Sequence, residues 1–404
     1  MLPWDRILAQ SATQNRVLAS TAVAPDLPNF ASIMDWIASD NAPRLSFLDA
    51  QWHSLEAWKA AARPVFHHHL SYQPSASPLG AELVHREPRD GYTCETVKIH
   101  ATPAYHIPAR VLIPTKSKGR LPAVVGMHCH SGRYTWGHEK VISSPDDSAS
   151  LTEFRNGAYG RPWAETLVRR GYIVIISDAF YFGQRRLRVE DLEPERVFQE
   201  VSEPFAVVRT QPVNSPAWIA AMNRVCSFYE HLTAKTILAA GATWPGMHVW
   251  DDMRTVDYLA SRPDVDAARL GCMGLSIGGL RTAHLISADA RIKVASVTGW
   301  MTEFAQQLRN HARHTWMAFV PGLYRSLDLP DAVGLHAPGA LLVQQCRRDK
   351  LYPIKAMESA VTKIGRIYAK AGCPERFRGT FYDEPHSFRP YMQEEAFEWL
   401  DRWL

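Results

Sequence analysis

Short apolar runs rich in β-branched residues recur along this chain, with helical stretches between them. Runs of this kind are typical of buried strands in a mostly parallel sheet that helices cover on both faces. Two earlier runs, 93–101 and 107–114, lie close enough together to form an antiparallel pair. The pattern predicts an α/β protein with a doubly wound sheet of about eight strands. The later runs are 123–128, 172–178, 269–275, 294–300, 340–346 and 379–383.

Two segments depart from this alternation. Amphipathic stretches at 29–38 and 48–62 predict a helical N-terminal extension over 1–85, leaving 86–404 as the main domain. The connection after the run ending at Asp178 is far longer than an ordinary loop, which predicts a helical insertion over 187–235.

Composition excludes several classes of protein. The 404 residues carry a net charge of only +4 without a long basic run, which argues against nucleic-acid binding. No segment approaches roughly 18 consecutive apolar residues and the N-terminus lacks a signal-peptide pattern, so we expect a cytoplasmic protein without membrane association. The six cysteines are scattered, which favours buried free thiols over a disulfide framework. Whether the chain forms a homo-oligomer is left open.

A Gly-x-Ser-x-Gly motif at Gly274–Gly278 is the first chemical signal. Such a motif places a serine on a sharp turn between a strand and a helix, where the flanking glycines relieve crowding. Here a strand-like run precedes the motif and a helical stretch follows it, which is the context that the motif requires. Ser276 is therefore the candidate nucleophile.

A serine hydroxyl attacks only when a histidine removes its proton and a carboxylate orients that histidine. Asp349 follows the run 340–346 and is the predicted acid, whereas Asp383 and Glu384 are weaker alternatives. His386 is the predicted base, because it is the one histidine that lies beyond both Ser276 and Asp349 in the sequence.

The oxyanion of the tetrahedral intermediate needs backbone donors. We expect the N–H of Ile277 and the N–H of His130, in the loop after the run 123–128, to supply them. The histidines of this loop and of 67–69 could be read as metal ligands, but they lack carboxylate or cysteine partners at useful spacing, so no metal is predicted.

The chain from about Tyr92 onward resembles the dienelactone hydrolase and acetylxylan-esterase-like group of α/β-hydrolases. The matching pieces are the loop 128–132 (HCHSG), the segment 171–186 and the stretch 250–282 around the serine motif. The resemblance implies the α/β-hydrolase fold and a serine carboxylesterase that acts on a small-molecule ester without a cofactor. It agrees with the three catalytic roles given above. In the oxyanion loop, Cys129 and Ser131 stand at positions where this group usually has glycines.

Substrate specificity in such a fold depends on what covers the carboxyl ends of the strands. We expect the 187–235 insertion to form a lid, with ordinary helical packing as the alternative for its aromatic residues, Phe198, Phe205, Trp218, Phe228 and Tyr229. Four loop arginines could bind an anionic substrate group, although surface arginines of no such function are equally common. They are Arg133, Arg161, Arg185 and Arg186.

The predicted ester hydrolysis is of the acetyl ester or lactone type, either deacetylation of a sugar or opening of a lactone. Three other functions compete with it. A peptidase or amidase, or a carbon–carbon bond hydrolase or lyase, could use the same three side chains. A binding protein that has lost catalysis would have no need to keep all three in the correct order.

Overall fold

A computed structural model describes residues 25–75, 77–116, 119–304 and 312–404. In these ranges the strands form one nine-stranded sheet in the order β1-β2-β3-β5-β4-β6-β7-β8-β9. The strands are β1 (Glu82–Arg89), β2 (Tyr92–Thr102), β3 (Tyr105–Pro114), β4 (Leu121–Met127), β5 (Ile173–Ser177), β6 (Val265–Leu275), β7 (Ile292–Thr298), β8 (Ala340–Cys346) and β9 (Phe377–Tyr382). The six strands from β5 to β9 along this order are parallel, whereas β1, β2 and β3 form an antiparallel edge joined to β5. The predicted α/β-hydrolase fold class is confirmed.

Helices connect and cover the strands. The described α-helices are α1 (Ala31–Asp40), α2 (Leu55–Leu70), α3 (Ala149–Ala158), α4 (Trp163–Arg169), α5 (Ser202–Thr210), α6 (Pro216–Ala239), α7 (Trp244–Ser261), α8 (Ile277–Ala288), α9 (Leu329–Gly334), α10 (Ile354–Lys370) and α11 (Pro390–Trp403). The predicted helical insertion is confirmed as α5 and α6. The first 24 residues of the predicted N-terminal extension and residue 76 lie outside the described residues. The helices α1 and α2 lie within the rest of it, but its last residues belong to the first strand, β1, and not to a helix.

The pleat of the strands divides the apolar core into two layers. In β5, Ile173 and Ile175 join one cluster of buried side chains, whereas Val174 and Ile176 join the other. Successive side chains of a strand point to opposite faces, so an uninterrupted apolar run serves both layers when helices cover both faces. This explains why the parallel strands carry continuous apolar runs.

The parallel register brings the loops after β4, β6, β8 and β9 to one edge of the sheet. The predicted oxyanion loop, nucleophile, acid and base follow these four strands in turn. The topology therefore assembles at one edge residues that are more than 250 positions apart in the sequence.

All six cysteines are free and buried, as predicted. Among the described helices, none combines the length and the apolar character that crossing a lipid bilayer would require.

Candidate active site

Ser276 occupies a strained turn between β6 and α8. Its backbone has φ 63° and ψ −125°, a conformation that residues with side chains rarely adopt and that is found mostly at functional sites. The turn is tight enough to exclude side chains at its glycines, because a Cβ on Gly278 would lie 2.4 Å from the carbonyl oxygen of Met127. The Ser276 N–H donates to the carbonyl of Thr298 at the end of β7 (2.9 Å). The motif thus forms the strand–turn–helix geometry expected of a nucleophile.

Asp349 and His386 are hydrogen-bonded to each other. The distance from His386 Nδ1 to Asp349 Oδ2 is 2.6 Å, and the Asp349 side chain is almost completely buried. The other carboxylate oxygen, Oδ1, accepts the N–H of Leu351 at 2.9 Å. Because a buried carboxylate accepts a proton donor on Nδ1, the neutral imidazole has its proton there and its lone pair on Nε2.

The ring of His386 lies over the end of β7, beside the serine turn. Gly299 has φ 61°, and a Cβ built on it would lie 3.1 Å from both His386 Cε1 and Leu275 Cδ1. His386 Nε2 is buried and has no hydrogen-bond partner among the described residues, so it is not bonded to Ser276 Oγ in this structure. Catalytic hydrogen bonds are often long in the absence of substrate. The arrangement leaves the Nε2 atom of the candidate base unpaired, with the His386 ring against Gly299 at the end of β7.

The two alternative acids contact other groups. Asp383 is 83% exposed in its side chain and pairs with Arg348 at 3.0 Å. Glu384 accepts the hydroxyl of Tyr391 at 2.6 Å. Asp349 is the acid that contacts the His386 ring.

The predicted oxyanion loop is held by a buried lysine that the sequence analysis did not identify. Lys140 Nζ donates to the carbonyl oxygens of Cys129 (2.7 Å) and His130 (3.2 Å). Burial lowers the pKa of Lys140 to about 8. In a trans peptide the C=O and the N–H point in opposite directions. The Cys129 carbonyl faces Lys140, so the His130 N–H points away from the lysine.

The other predicted oxyanion donor is the N–H of Ile277. It is the first N–H of α8 and has no carbonyl one turn earlier within the helix. The oxyanion roles of His130 and Ile277 remain predictions.

Glu230 of α6 joins two loops at this edge of the sheet and was also missed by the sequence analysis. One of its carboxylate oxygens accepts His130 Nε2 (3.3 Å) and the hydroxyl of Tyr134, and the other accepts Thr315 Oγ1 (2.6 Å) and the Trp316 N–H (3.0 Å). Burial alone would raise the pKa of Glu230, but the hydrogen bond and charge of His130, with the Thr315 and Tyr134 bonds, lower it to about 2. The insertion is therefore fastened to the oxyanion loop by a buried carboxylate.

Three of the four arginines predicted to bind substrate have partners within the protein. Arg161 bonds to Glu394 (2.6 Å), Arg185 to Asp251 (2.7 Å) and Arg186 to Glu190 (2.8 Å). Arg133 is exposed and forms no ion pair with any described residue. A substrate role for the four arginines remains a prediction.

Histidines that could be read as metal ligands bond to protein groups. His128 Nε2 accepts the Ala179 N–H (3.1 Å), and His67 bonds to the carbonyl of Ala288 (3.1 Å). In a further cluster, the ligand atoms of His138, Glu139 and Asp178 lie within 4.8 Å of one another. Both oxygens of Asp178 already accept N–H donors, from His138 and Gln184. Through these hydrogen bonds the cluster holds the loop at His138 against Asp178, which accounts for the proximity of the three side chains.

Together, the sheet order, the strained turn at Ser276 and the hydrogen-bonded Asp349–His386 pair show the α/β-hydrolase fold, with the three candidate catalytic residues on loops at one edge of its sheet. No protein-family model matches the sequence. The chain is 24% identical over 339 residues to "Putative hydrolase YtaP" of Bacillus subtilis (strain 168), covering 82% of this chain and 95% of that protein.

Two solved structures share the fold at low sequence identity. One is described as a putative acetyl xylan esterase from Bacteroides fragilis NCTC 9343, with a TM-score of 0.65, 16% identity, and coverage of 95% of this chain and 87% of the other. The second is a glucuronoyl esterase from Solibacter usitatus, with a TM-score of 0.59, 15% identity, and coverage of 89% and 97%.

Proposed function

We propose that this protein is a serine hydrolase that cleaves a carboxylic ester through an acyl-enzyme intermediate on Ser276. The observation that carries the proposal is the 2.6 Å bond between Asp349 and His386, which leaves a buried, unpaired Nε2 beside the serine turn. The proposal is supported by the fold shared with two proteins described as a putative acetyl xylan esterase and a glucuronoyl esterase.

The proposed reaction begins when His386 Nε2 takes the proton of Ser276 Oγ as this oxygen attacks the ester carbonyl. The N–H groups of Ile277 and His130 stabilise the resulting oxyanion. Nε2 then returns the proton to the departing alcohol, and the acyl group remains on the serine. Water, activated by the same imidazole, releases the acid, while Asp349 stabilises the imidazolium in both halves.

The protein positions the His130 donor from two sides. Lys140 fixes the carbonyls of the loop, and Glu230 holds the His130 ring. His130 Nδ1 accepts the Gly132 N–H at 2.9 Å, so its Nε2 carries the proton that Glu230 accepts. Cys129 and Ser131 stand where related loops usually have glycines. We propose that the contacts of Lys140 and Glu230 hold the loop in its shape without those glycines.

The substrate that we propose is an ester of a carbohydrate, either an acetylated sugar or an ester of a sugar acid. Within the same proposal, α5 and α6 form a lid beside the oxyanion loop, since Glu230 belongs to α6. If these helices form a lid, we expect substitution of the α6 residues that face the site to change the substrate preference.

The test combines labelling with kinetics. A fluorophosphonate probe should label the wild-type protein on Ser276 and leave Ser276→Ala unlabelled. On an ester panel, Ser276→Ala should lose on the order of 10⁶-fold in kcat. Amide substrates and substrates with a cleavable carbon–carbon bond, included in the same panel, test the competing peptidase or amidase and carbon–carbon bond hydrolase activities. Ester turnover by Ser276→Ala within about tenfold of wild type would refute the mechanism.

A further inference from the structure

Two buried polar atoms beside the acid–base pair have no hydrogen-bond partner among the described residues. They are His314 Nε2 and the hydroxyl of Tyr352. Tyr352 is 2% exposed, so water does not reach its hydroxyl freely. Most buried polar atoms in native proteins are hydrogen-bonded, so these two atoms call for a partner that the described residues do not supply.

The protonation of His314 follows from its contacts. Its Nδ1 accepts the N–H of Thr315 at 3.0 Å, so in the neutral ring the proton lies on Nε2. Burial, followed by the charges of His130 and His386, lowers the pKa of His314 to about 4. At neutral pH, Nε2–H is therefore an uncharged donor without an acceptor.

Aromatic contacts place the two residues against the reactive centre. The rings of His314 and Tyr352 are nearly parallel, with an interplanar angle of 11° and centroids 5.9 Å apart. Both rings contact Trp300 edge to face, with centroid distances of 4.6 Å and 5.5 Å. Trp300 directly follows Gly299, over which the ring of His386 lies. Tyr352 is three residues after Asp349 in the same loop.

The residue that follows His314 is also bonded to Glu230. This residue, Thr315, donates its hydroxyl to Glu230, the carboxylate that also holds the ring of His130. The segment is therefore attached to the same anchor as the oxyanion loop.

We propose that His314 and Tyr352 form a subsite that donates hydrogen bonds to oxygen atoms of a sugar ring carried by the substrate. The inference rests on the proposed ester hydrolysis and adds the group that the site recognises. Neutral donors suit neutral hydroxyl and ring oxygens, and a purely alkyl substrate would leave both donors unpaired. A site built to hydrogen-bond a substrate rejects an analogue that lacks the bonding group.

The experiment compares each sugar ester with a cyclohexane ester of the same ring size. An acetylated methyl xyloside is paired with cyclohexyl acetate, which tests sugar oxygens on the alcohol side. The methyl ester of a methyl glucuronoside is paired with methyl cyclohexanecarboxylate, which tests them on the acyl side. The measured quantity is the ratio of kcat/KM values within each pair.

The variants distinguish the loss of a hydrogen-bond donor from a change in side-chain packing. Tyr352→Phe removes only the hydroxyl. His314→Asn keeps an acceptor for the Thr315 N–H and removes the Nε2 donor, whereas His314→Gln returns an N–H near the Nε2 position. Tyr368→Phe is the matched control, because this buried hydroxyl donates to Gly339 (2.8 Å) in the packing of α10.

We expect Tyr352→Phe and His314→Asn to lower the sugar-to-cyclohexane ratio at least tenfold in one of the two pairs. His314→Gln should recover part of the ratio, and Tyr368→Phe should leave it unchanged. Ratios within threefold of wild type in both pairs would overturn the subsite. Equal losses on sugar and cyclohexane esters would do the same, because they would show a role in positioning the His386 imidazole.

A binding measurement separates failure of the subsite from failure of the proposed reaction. In Ser276→Ala, calorimetry should show at least tenfold tighter binding of one sugar ester than of its cyclohexane partner. Tyr352→Phe in that background should abolish the difference. Absence of the difference overturns the subsite whether or not the protein hydrolyses esters, whereas a difference without any hydrolysis by the wild-type protein refutes only the reaction.

Discussion

Replacing Asp349 by asparagine tests whether this carboxylate orients His386, the proposed catalytic base, with almost no change in side-chain shape. The carboxylate accepts two N–H donors, from His386 and from Leu351. An amide has one acceptor and one donor group. If its oxygen keeps the Leu351 N–H, its NH₂ faces His386 Nδ1, and the imidazole proton moves to Nε2, where the ring can no longer accept the serine proton.

The reversed amide would keep the active tautomer but would set its NH₂ against the buried Leu351 N–H. Leaving that donor unpaired costs about 1–3 kcal/mol, so the active arrangement is a minor population. The variant also loses the charged partner of the imidazolium, which is worth about 1–2 kcal/mol beyond a neutral bond. The two effects sum to about 2–5 kcal/mol, which predicts a loss in kcat of roughly 30- to 5,000-fold; the same exchange in a Ser–His–Asp triad costs about 10⁴-fold.

The assay is steady-state hydrolysis of a simple aryl ester, with the rate of fluorophosphonate labelling as a second measure. Nitrogen NMR of the histidine ring should show the proton on Nδ1 in the wild-type protein and on Nε2 in the variant. Asp383→Asn is the control, because Asp383 is an exposed surface partner of Arg348. A kcat within tenfold of wild type, or an equal loss in the control, would refute the assigned role of Asp349.

Three further predictions concern groups that position the site. Lys140→Met should lower kcat ten- to hundredfold with little change in KM, because the loop carbonyls lose their donor; unchanged ester kinetics would contradict this role. Gly299→Ala should lower kcat at least tenfold, because its methyl group would be pushed against His386. Gly241→Ala is the control: Gly241 has φ 81° and open space around it, so this variant bears only the cost of the backbone conformation. Equal kcat values for the two variants would argue against the contact between residue 299 and His386. Because folding lowers the pKa of Glu230 from 4.5 to about 2, its contribution is present above pH 4.5 and is lost as pH falls toward 2. Glu230→Gln should therefore be about 3 kcal/mol less stable than wild type at pH 7 and nearly equal to it near pH 2 in denaturant unfolding; a difference independent of pH would disprove the linkage.

The parallel strands were predictable because helices bury both faces of the sheet, which requires continuous apolar runs such as Ala340–Cys346. Strand β1 was not predicted. Its sequence, ELVHREPR, is largely exposed along its length and contains Pro88, which an edge strand tolerates. An edge strand needs pairing with one neighbour, here β2, and leaves no apolar signature in the sequence.

The start of α7 shows a second limit of what can be predicted from the sequence. The helical recurrence of apolar residues in the sequence is clear only from Trp250 onward, but the helix begins at Trp244, with the Thr243 side chain accepting the Gly246 N–H. Pro245 and Gly246 suggest a break in the helix, yet proline is well tolerated in the first turn. A Cβ on Gly246 would lie 2.1 Å from the carbonyl oxygen of Leu70, so the glycine serves helix packing.

The candidate site, like the fold, has residues that the sequence reveals and residues that it does not. Ser276, Asp349 and His386 follow from a local motif and from the order of the strands, which the sequence reveals. The contacts of Lys140, Glu230 and His314 depend on how distant loops meet above the sheet. No spacing rule in the sequence links Glu230 with His130, which is 100 residues away, or with Thr315, which is 85 residues away.

The burial of every native thiol makes this protein suitable for site-directed spectroscopy. Alkylating reagents need an accessible thiolate, and all six cysteines lie inside the folded protein. A cysteine introduced on the outer face of α6, for example at the exposed Leu232, would be the single site of attachment for a dye or a spin probe. With a second label on α10, distance measurements in solution could follow the insertion during turnover without removal of any native cysteine.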